Sequence, residues 1–576
     1  MTDRVSHRPS TLPSTFERLG ASASRVPRLV AGVVYAAAFL NIISGLFHSF
    51  RSRFSWVSDV LPGAVTNAAS ALVVVAGILL LLLANALRRR KHRAWRAAVV
   101  LAALSLVLNG LRLHVALTLV SALLLYLLVR YRREFYAVGD PTTRWRALWA
   151  AVLLFVTSTA IGVMLVAVYD REVIGGWPGL WPTLQHVWLG MVGIEGDLVV
   201  RSRFDDYLAA VLLGLGLMTL LVPVFMALRA PRPQPDLSPE DDARLRSLLE
   251  RSPDSLGYFN LRRDKSIIWS DSGKAAIAYR VVGGVMLASG DPIGDPEAWP
   301  GAIANFLDEA ERHAWTPAVL GCSERAGTAW TRATDFAALE LGDEAVVDVA
   351  SFSLEGRAMR NVRQMVGRVR RAGYETDVVR VRDLAPSERF QLLADAAAWR
   401  GSETERGFSM ALGRVADDLD PDAVVVIATC DGVVRGFLQF VPWGRDGISL
   451  DVMRRDRGAE AGVNELLIVS ALEACRDLGV SRVSLNFAAF RTIFERGERL
   501  GAGPITRFMR SVLVFASRWF QLESLYRFNA KFQPAWVSRF LVYPGGSLPR
   551  VALASLEAEA FLTWPKMRIL GVTDHA

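Results

Sequence analysis

The chain has 576 residues, too many for one domain of ordinary size. Hydrophobic residues make up 52% of it and charged residues 21%, which indicates an integral membrane part beside a water-exposed part. The net charge of +9 favours anionic partners such as phospholipid headgroups or nucleic acid. Only three cysteines, without CxxC spacing, and seven histidines are present, which argues against a metal site or a His-based nucleophilic triad.

Six apolar stretches of bilayer length lie within residues 1–230. They run over about 27–47, 65–87, 94–110, 113–130, 146–169 and 207–229, and the third and fourth form a tight hairpin. No A-x-A cleavage site follows the first stretch, so an anchor is predicted rather than a signal peptide. The first 230 residues are therefore predicted to form an α-helical transmembrane bundle.

Basic residues are concentrated in alternate loops of this module. They occur at the N-terminus and in the loops around 88–96 and 130–146, whereas segment 170–206 mixes charges of both signs. By the positive-inside rule, the N-terminus and everything after residue 228 are cytoplasmic and segment 170–206 is external, in a multi-pass protein of the cell membrane. The spans hold almost no ionisable residues, so anchoring and access to lipid are favoured over transport.

Residues 231–240 form a Pro-rich polar linker, and helical and strand patterns alternate after it. Two units with a similar order of elements are predicted, at 241–380 and at 381–550, followed by a tail at 551–576. The expected class is α/β, with an internal duplication.

Residues 448–490 give the clearest pattern in this second part. An alternating strand is followed by a small-residue loop, an apolar helix that ends at Gly479, and a return strand, which together predict a parallel crossover. In GNAT-type acyltransferases this unit separates two strands and places an acyl donor in the gap. The loop from Gly458 to Gly462 follows the coenzyme A pattern Q/R-x-x-G-x-G/A only until Glu460, an acidic residue where a phosphate would lie.

Arginines are closely spaced in Phe352–Tyr374. Arg357, Arg360 and Arg363 recur every three residues, which predicts one face of a helix. Two interpretations stay open. The arginines form either a solvated basic face or a phosphate-binding stripe for RNA or a lipid surface, and the second is favoured because acidic residues at i+4 are scarce.

Five motifs in order resemble those of the lysylphosphatidylglycerol synthase (MprF-type) catalytic domain. They read GDPIGD, FSLEGRAMRNVR, ERGFSM, SLDVMRR and YRFNAKFQPAW, and the resemblance covers about residues 245–550. The C-terminal motifs look most like the actinobacterial branch, in which the synthase is often fused to a lysyl-tRNA synthetase. Since the chain ends at Ala576, a separate synthetase is expected to supply the charged tRNA.

The resemblance implies tandem GNAT-like domains and a defined reaction. An aminoacyl group, lysine by default, moves from aminoacyl-tRNA to a glycerol hydroxyl of phosphatidylglycerol. The donor is an activated ester, so no cofactor or metal is expected beyond the co-substrate aminoacyl-tRNA. Anionic membrane lipids are further expected partners, and association into a homo-oligomer is left open.

The motifs also supply candidate site residues. Asp451 is predicted to contact the donor's α-amino group or to act as base, and Arg454 to hold phosphate or the terminal adenosine, unless the two form a plain surface pair. Lys531 is a second cation for catalysis, with lipid-surface packing as its alternative. The remaining candidates are Glu405, Arg406, Ser409, Asn486 and Arg527 for substrate binding, and Arg357, Arg360 and Arg363 for tRNA or phosphate.

Two rival functions stay open beside this reading. One is a coenzyme A-dependent membrane acyltransferase. The other is a non-enzymatic membrane scaffold that holds RNA or anionic lipid through its arginines.

Overall fold

The structure is a computed structural model in which two compact units divide the chain near residue 232, inside the predicted linker. It describes residues 26–46, 76–84, 86–88, 90, 92–111, 115–135, 142–169, 173–174, 177–194, 198, 202–227, 237–400, 407–489 and 522–560.

The first unit is helical. Its helices are α1 (Val26–Leu46), α2 (His92–Leu111), α3 (Val115–Arg130), α4 (Thr142–Val168), α5 (Leu180–Met191) and α6 (Ser202–Ala227), and residues 76–84 and 86–88 are helical as well. Among the described residues, two helices are long and apolar enough to cross a membrane, over Ala147–Val168 and Tyr207–Met226. Shorter apolar helices cover Leu29–Ile42, Ala94–Gly110 and Val115–Arg130.

These helices lie where apolar stretches were predicted, apart from residues 65–75 of the second stretch, which are outside the described residues. Helix α5 differs from the expectation, because segment 170–206 was predicted only as an external loop. Its Val187 and Met191 belong to one buried cluster with Leu208 and Leu212 of α6, so it packs within the helical unit.

Buried polar side chains join the first three helices. The Asn109 amide of α2 donates to Asn41 of α1 at 3.2 Å and to Ser121 of α3 at 3.3 Å. Asn41 in turn donates to Ser105 at 3.3 Å. Hydrogen bonds of this kind hold helices together where no water competes for them.

The second unit is built on one sheet of twelve strands. The strands are β1 (Ser266–Trp269), β2 (Ala275–Val282), β3 (Val285–Ser289), β4 (Ile293–Gly294), β5 (Thr316–Cys322), β6 (Phe336–Asp348), β7 (Tyr374–Arg380), β8 (Val424–Cys430), β9 (Val433–Trp443), β10 (Gly447–Arg455), β11 (Arg482–Ala489) and β12 (Ala535–Pro544). Their order is β1-β2-β3-β5-β12-β6-β11-β10-β9-β8-β7, with β4 paired to β2.

Eight helices complete this unit in the described part of the chain. They are α7 (Pro239–Leu249), α8 (Trp299–Arg312), α9 (Glu324–Ala333), α10 (Arg360–Arg371), α11 (Pro386–Arg400), α12 (Val463–Ala474), α13 (Leu522–Ala530) and α14 (Leu548–Ala558). Helix α12 starts after Gly462, whose φ of +108° suits a residue without Cβ. Its face with Val463, Leu466 and Leu467 is buried with Val366 of α10, which fixes α12 over the sheet.

The strand pattern occurs twice in the sheet. In the first half β1, β2 and β3 are antiparallel neighbours, and β5 follows parallel to β3. In the second half β8, β9 and β10 are antiparallel neighbours, and β11 follows parallel to β10. Strands β12 and β6 lie between β5 and β11 and join the halves.

The predicted boundary at residue 380 differs from this arrangement. Strand β7, which ends there, pairs with β8 of the second half over its whole length. Strand β12, which belongs to the predicted segment 381–550, lies between β5 and β6 of the predicted segment 241–380. These two segments therefore share one sheet and contribute strands to each other's half, because strands far apart in the chain pair with one another.

Candidate active site

In each half of the sheet, two parallel strands separate at a serine. Strand β3 pairs with β5 as far as Ser289, and β10 pairs with β11 only over Gly447–Ser449. Beyond Ser449 the pairing of β10 with β9 shifts between Leu450 and Val452, so Asp451 sits at a bulge. An aspartate follows two residues after each serine, Asp291 in the first half and Asp451 in the second.

Residues 407–412, here called the central segment, lie against the separated strands of the second half. The backbone N–H of Leu412 donates to Asp451 Oδ1 at 2.8 Å. The amide of Asn486 donates to the carbonyl oxygens of Met410 and Leu450, both at 2.9 Å. Asn486 has a φ of +68°, a backbone conformation that asparagine adopts more readily than most residues. Two of the five motifs, around Ser409 and Asp451, therefore meet here with the predicted residue Asn486.

Asp451 has the chemistry expected of a proton-exchanging group. Burial raises its pKa to about 7, although hydrogen bonds from Leu412 N and from Gln439 Nε2, at 2.7 Å, favour the charged form. A carboxyl group that titrates near neutral pH can take up and release a proton under physiological conditions. Each of its oxygens already accepts one hydrogen bond from the protein.

The other side of the central segment is held by Glu559, which follows α14. Its carboxylate accepts hydrogen bonds from the N–H of Phe408 at 2.6 Å, the N–H of Ser409 at 3.0 Å and the Ser409 hydroxyl at 2.5 Å. Arg262 donates to the carbonyl oxygens of Gly407 and Ala411. Ser409, predicted as a substrate contact, is buried and bound to this glutamate.

Lys265 lies beside the same segment. Its Nζ donates at 2.8 Å to the carbonyl of Phe259 and at 2.8 Å to the hydroxyl of Ser289, where the first-half strands separate. The Phe408 ring centre is 4.8 Å from this nitrogen and 5.1 Å from the guanidinium carbon of Arg280. Burial lowers the pKa of Lys265 to about 7. Sequence reasoning missed this residue, because a single lysine before a strand carries no signal of burial.

The first-half aspartate belongs to a buried charged network. Asp291 accepts from the N–H of Ser323 at 2.7 Å and from its hydroxyl at 2.6 Å. Burial, followed by the charge of Asp254, raises the pKa of Asp291 to about 7. Arg539 binds Asp254 at 2.7 Å and also binds Glu344. Although burial opposes it, Arg539 holds the pKa of Glu344 below its ordinary value.

Other predicted site residues lie elsewhere. Lys531 forms an ion pair with the buried Glu465 of α12 at 2.7 Å, and no contact within the described residues joins it to Asp451. Arg454 donates to the Met453 carbonyl, and Arg527 is exposed on α13. Glu405 and Arg406 lie outside the described residues.

The loop before α12 was weighed as a coenzyme A phosphate site. The N–H of Gly458 donates to Asp456 at 2.9 Å, and the N–H of Glu460 donates to the Tyr374 hydroxyl at 3.0 Å. Arg368 binds the carboxylate of Glu460 at 3.1 Å. Since protein groups accept these N–H donors and Glu460 adds negative charge, the loop is poorly suited to a pyrophosphate.

The arginines of the predicted stripe differ in their surroundings. Helix α10 begins at Arg360, so the prediction that Arg357 shares a helix face with Arg360 and Arg363 is wrong, because Arg357 lies in the preceding turn. Arg363 donates to the carbonyl of Leu354. Within the part of the chain that the structure describes, Arg357 and Arg360 are exposed and form no ion pair. The same part contains no group of three or more His, Cys, Asp or Glu side chains that could hold a metal ion.

Two family profiles match the chain. The family described as "Phosphatidylglycerol lysyltransferase, C-terminal" matches residues 246–543, and "Transmembrane region of lysyl-tRNA synthetase" matches residues 22–226. The N-terminal part is thus a transmembrane region.

Two relatives are named "Lysylphosphatidylglycerol biosynthesis bifunctional protein LysX". The protein of Rhodococcus opacus (strain B4) is 40% identical over 588 residues, which cover 98% of this chain and 51% of the relative. The protein of Nocardia farcinica (strain IFM 10152) is 44% identical over 514 residues, which cover 86% of this chain and 44% of the relative. The chain spans about half the length of these curated relatives.

A solved structure, "The structure of L-PGS from Bacillus licheniformis", covers 58% of this chain and 100% of its own, with a TM-score of 0.50 and 22% identity. That likeness shows the fold of the second unit. The resemblance inferred from five motifs is confirmed by the profile match, which spans more than half of the sequence. The chain belongs to the phosphatidylglycerol lysyltransferase family.

Proposed function

We propose that this protein transfers an aminoacyl group, lysine by default, from aminoacyl-tRNA to phosphatidylglycerol in the membrane. The observation that carries the proposal is the family match over residues 246–543 behind a transmembrane region at residues 22–226. Relatives named for lysylphosphatidylglycerol biosynthesis align over most of the chain. A lipid with an added ammonium group would weaken the attraction of cationic peptides to the membrane.

The second unit is proposed to be a tandem of GNAT-like domains. The repeated pattern of three antiparallel strands followed by a parallel strand supports this assignment. So does the recurrence of Ser-x-Asp where the parallel strands separate, at Ser289–Asp291 and at Ser449–Asp451.

The first unit is proposed to be a bundle of about six transmembrane helices that keeps the N-terminus and the catalytic unit in the cytoplasm. The described helices at the predicted positions and the basic loops support this topology. The net positive charge of the chain would also favour anionic lipids near the acceptor.

The reaction is proposed to need no cofactor. The lipid hydroxyl attacks the aminoacyl ester, so one ester bond forms to the lipid and one breaks to the tRNA ribose. The hydroxyl proton passes through a base to the leaving ribose oxygen. A separate lysyl-tRNA synthetase is the proposed supplier of the charged tRNA.

Homo-oligomerisation is a further proposal, and light scattering of the solubilised protein measures the oligomeric state.

Asp451 is proposed as the base or as the contact of the donor's α-amino group. Its pKa of about 7 supports proton exchange, and its bond to Leu412 supports a role in holding the central segment. Arg454 and Lys531 stay proposed cationic groups, although the ion pair of Lys531 with Glu465 supports a structural role for the lysine. Arg357 and Arg360 are proposed to bind tRNA phosphates, because they are exposed and form no ion pair in the described part of the chain.

The test is to express the full chain in cells that lack aminoacylated phosphatidylglycerol, supply radiolabelled lysine, and analyse the extracted lipids. A labelled, ninhydrin-positive derivative of phosphatidylglycerol is expected, and ribonuclease treatment of membranes should abolish its formation in vitro. Acyl transfer that depends on acetyl-coenzyme A and survives ribonuclease would instead favour the rival acyltransferase. Absence of any lipid product, with tRNA binding retained, would favour the scaffold.

A further inference from the structure

Among the described residues of the second unit, a buried lysine has no carboxylate paired with it. Lys265 is fully buried, and its amine donates to two neutral acceptors, the Phe259 carbonyl and the Ser289 hydroxyl. No salt bridge involves this amine within the described residues. A buried ammonium without a partner is strongly unfavourable, so the surroundings favour the uncharged amine.

The charged groups that face Lys265 come from three places in the fold. Asp264 and Arg262 are its neighbours before β1, Arg280 lies on β2, and Glu559 follows α14. Both carboxylates already have other partners. Asp264 pairs with Arg262 at 2.8 Å and with Arg280 at 2.5 Å. Glu559 accepts the N–H groups of Phe408 and Ser409.

Lys265 also connects the two halves of the sheet. It binds Ser289, where the strands of the first half separate, and it lies over the ring of Phe408. Phe408 begins the buried part of the central segment, whose far end is bound by Asp451 and Asn486 of the second half. The five residues Phe408–Leu412 thus connect the surroundings of the Lys265 amine to the second half.

We propose that Lys265 is a positioning residue whose uncharged amine lets Glu559 hold the Phe408–Ser409 backbone, and whose protonation draws Glu559 away and loosens the central segment. An ammonium has a third N–H and a charge to neutralise, and Glu559 is the facing carboxylate that no salt bridge of the described residues engages. The consequence for lipid aminoacylation rests on the proposed function, whereas the loosening of the segment does not.

Two substitutions separate the charge states. Lys265→Met is never charged and has similar length, and Lys265→Arg is always charged. Lys274→Met, at an exposed lysine ahead of β2, is the matched control. Lys265 and Asp451 both titrate near pH 7, so the wild-type rate should fall by about tenfold or more from about pH 8 to about pH 6. Lys265→Met should lose the share of this fall that Lys265 causes and keep the share caused by Asp451, and Lys265→Arg should be slow at both pH values.

Hydrogen exchange of the Phe408 and Ser409 amides in the full solubilised chain gives a readout that needs no reaction. After correction for intrinsic rates, these amides should lose protection in the wild type at about pH 6, stay protected in Lys265→Met, and exchange fast in Lys265→Arg. A wild type without lipid product but with this exchange pattern would sink the proposed function and leave the positioning role intact. Two results would overturn the positioning role. One is equal protection of these amides in the wild type and Lys265→Met at both pH values. The other is an activity that falls between about pH 8 and about pH 6 as much in Lys265→Met as in the wild type.

Discussion

The two points where parallel strands separate place the same residue type in different surroundings. In the first half, Asp291 is bound by Ser323 and lies beside Asp254, which pairs with Arg539. In the second half, Asp451 is bound by the Leu412 N–H and the Gln439 amide, both uncharged. Burial raises the pKa of both aspartates to about 7.

The difference assigns different work to the two halves. The first-half aspartate lies beside Asp254, which pairs with Arg539 of β12, and Arg539 also pairs with Glu344 of β6, so a change in its charge would act on these ion pairs. The second-half aspartate can gain or lose a proton without breaking an ion pair, and it contacts the central segment. We infer that the first half serves as an anchor and that the second half is the better place for proton exchange.

The largest expected effect comes from breaking the anchor. Arg539→Met leaves Asp254 and Glu344 buried without their cation, which should cost about 3–5 kcal/mol in the free energy of unfolding. Denaturant unfolding of the full chain in detergent, followed by tryptophan fluorescence, measures it. The exposed Arg445→Met is the control. A loss no larger than that of the control would show that the network does not anchor the sheet.

The second comparison replaces each aspartate by asparagine. If Asp451 acts as base, Asp451→Asn should lower the rate about 10²-fold or more, whereas Asp291→Asn should lower activity only as far as it lowers the amount of folded protein. Each change places an amide N–H₂ near existing donors and should cost about 1–3 kcal/mol. Lipid product per folded protein is the measurement. Equal rate losses in the two variants would remove the distinction between the halves.

The pH dependence of stability sharpens this test. The pKa of Asp451 is raised from 3.8 to about 7, so between these values the folded chain holds a proton that the unfolded chain releases. The cost of burying the charge is therefore full above about pH 7 and shrinks as the pH falls, by up to about 1.4 kcal/mol per pH unit. Asp451→Asn should lack this gain in stability between about pH 7 and pH 5, as measured by unfolding across that range.

Local patterns in the sequence were sufficient for one part of the site. Strand alternation, helical periodicity and a glycine stop predicted the crossover at 448–490, and the structure has β10, α12 and β11 there. The separation of the strands near Asp451 was expected from the likeness to GNAT-type acyltransferases, because a parallel crossover alone does not require it.

The partners of the central segment could not be predicted in this way. Lys265, Arg539 and Glu559 lie hundreds of residues from parts of their network, and an isolated charged residue usually belongs to the surface. The insertion of β12 between β5 and β6 buries Arg539, and such long-range pairing leaves no local periodicity. Strand β6 spans Phe336–Asp348 and connects both halves by pairing with β12 and β11.

A smaller effect is expected at Asn486, which holds the second half to the central segment. Asn486→Gly loses three side-chain hydrogen bonds but suits the φ of +68°, whereas Asn486→Ala loses the same bonds and keeps an unfavourable backbone. The alanine variant should therefore unfold about 1 kcal/mol more easily than the glycine variant. Thermal unfolding ranks the two, with Asn361→Ala, at an exposed position of α10, as control. The reverse order would mean that the backbone at Asn486 is not strained.

The smallest effects on stability are expected for the exposed arginines in and before α10. Arg368 and Arg370 pair with Glu460 and Glu473 at 3.1 and 2.9 Å, and such exposed pairs contribute less than about 1 kcal/mol. Arg357 and Arg360 lack such partners among the described residues, so their charges are available to phosphate.

The doubly substituted Arg357→Ala/Arg360→Ala chain should bind tRNA more weakly and show a salt dependence reduced by about one to two units in the slope of log K against log salt. The double change Arg368→Ala/Arg370→Ala should reduce the slope less, because its guanidinium groups are already neutralised by carboxylates. Filter binding of tRNA to the solubilised chain between about 50 and 200 mM KCl measures both slopes. Equal slopes for the two double variants would show that pairing with Glu460 and Glu473 does not decide which arginines bind RNA. The basic surface would then act through its total charge rather than through its unpaired arginines.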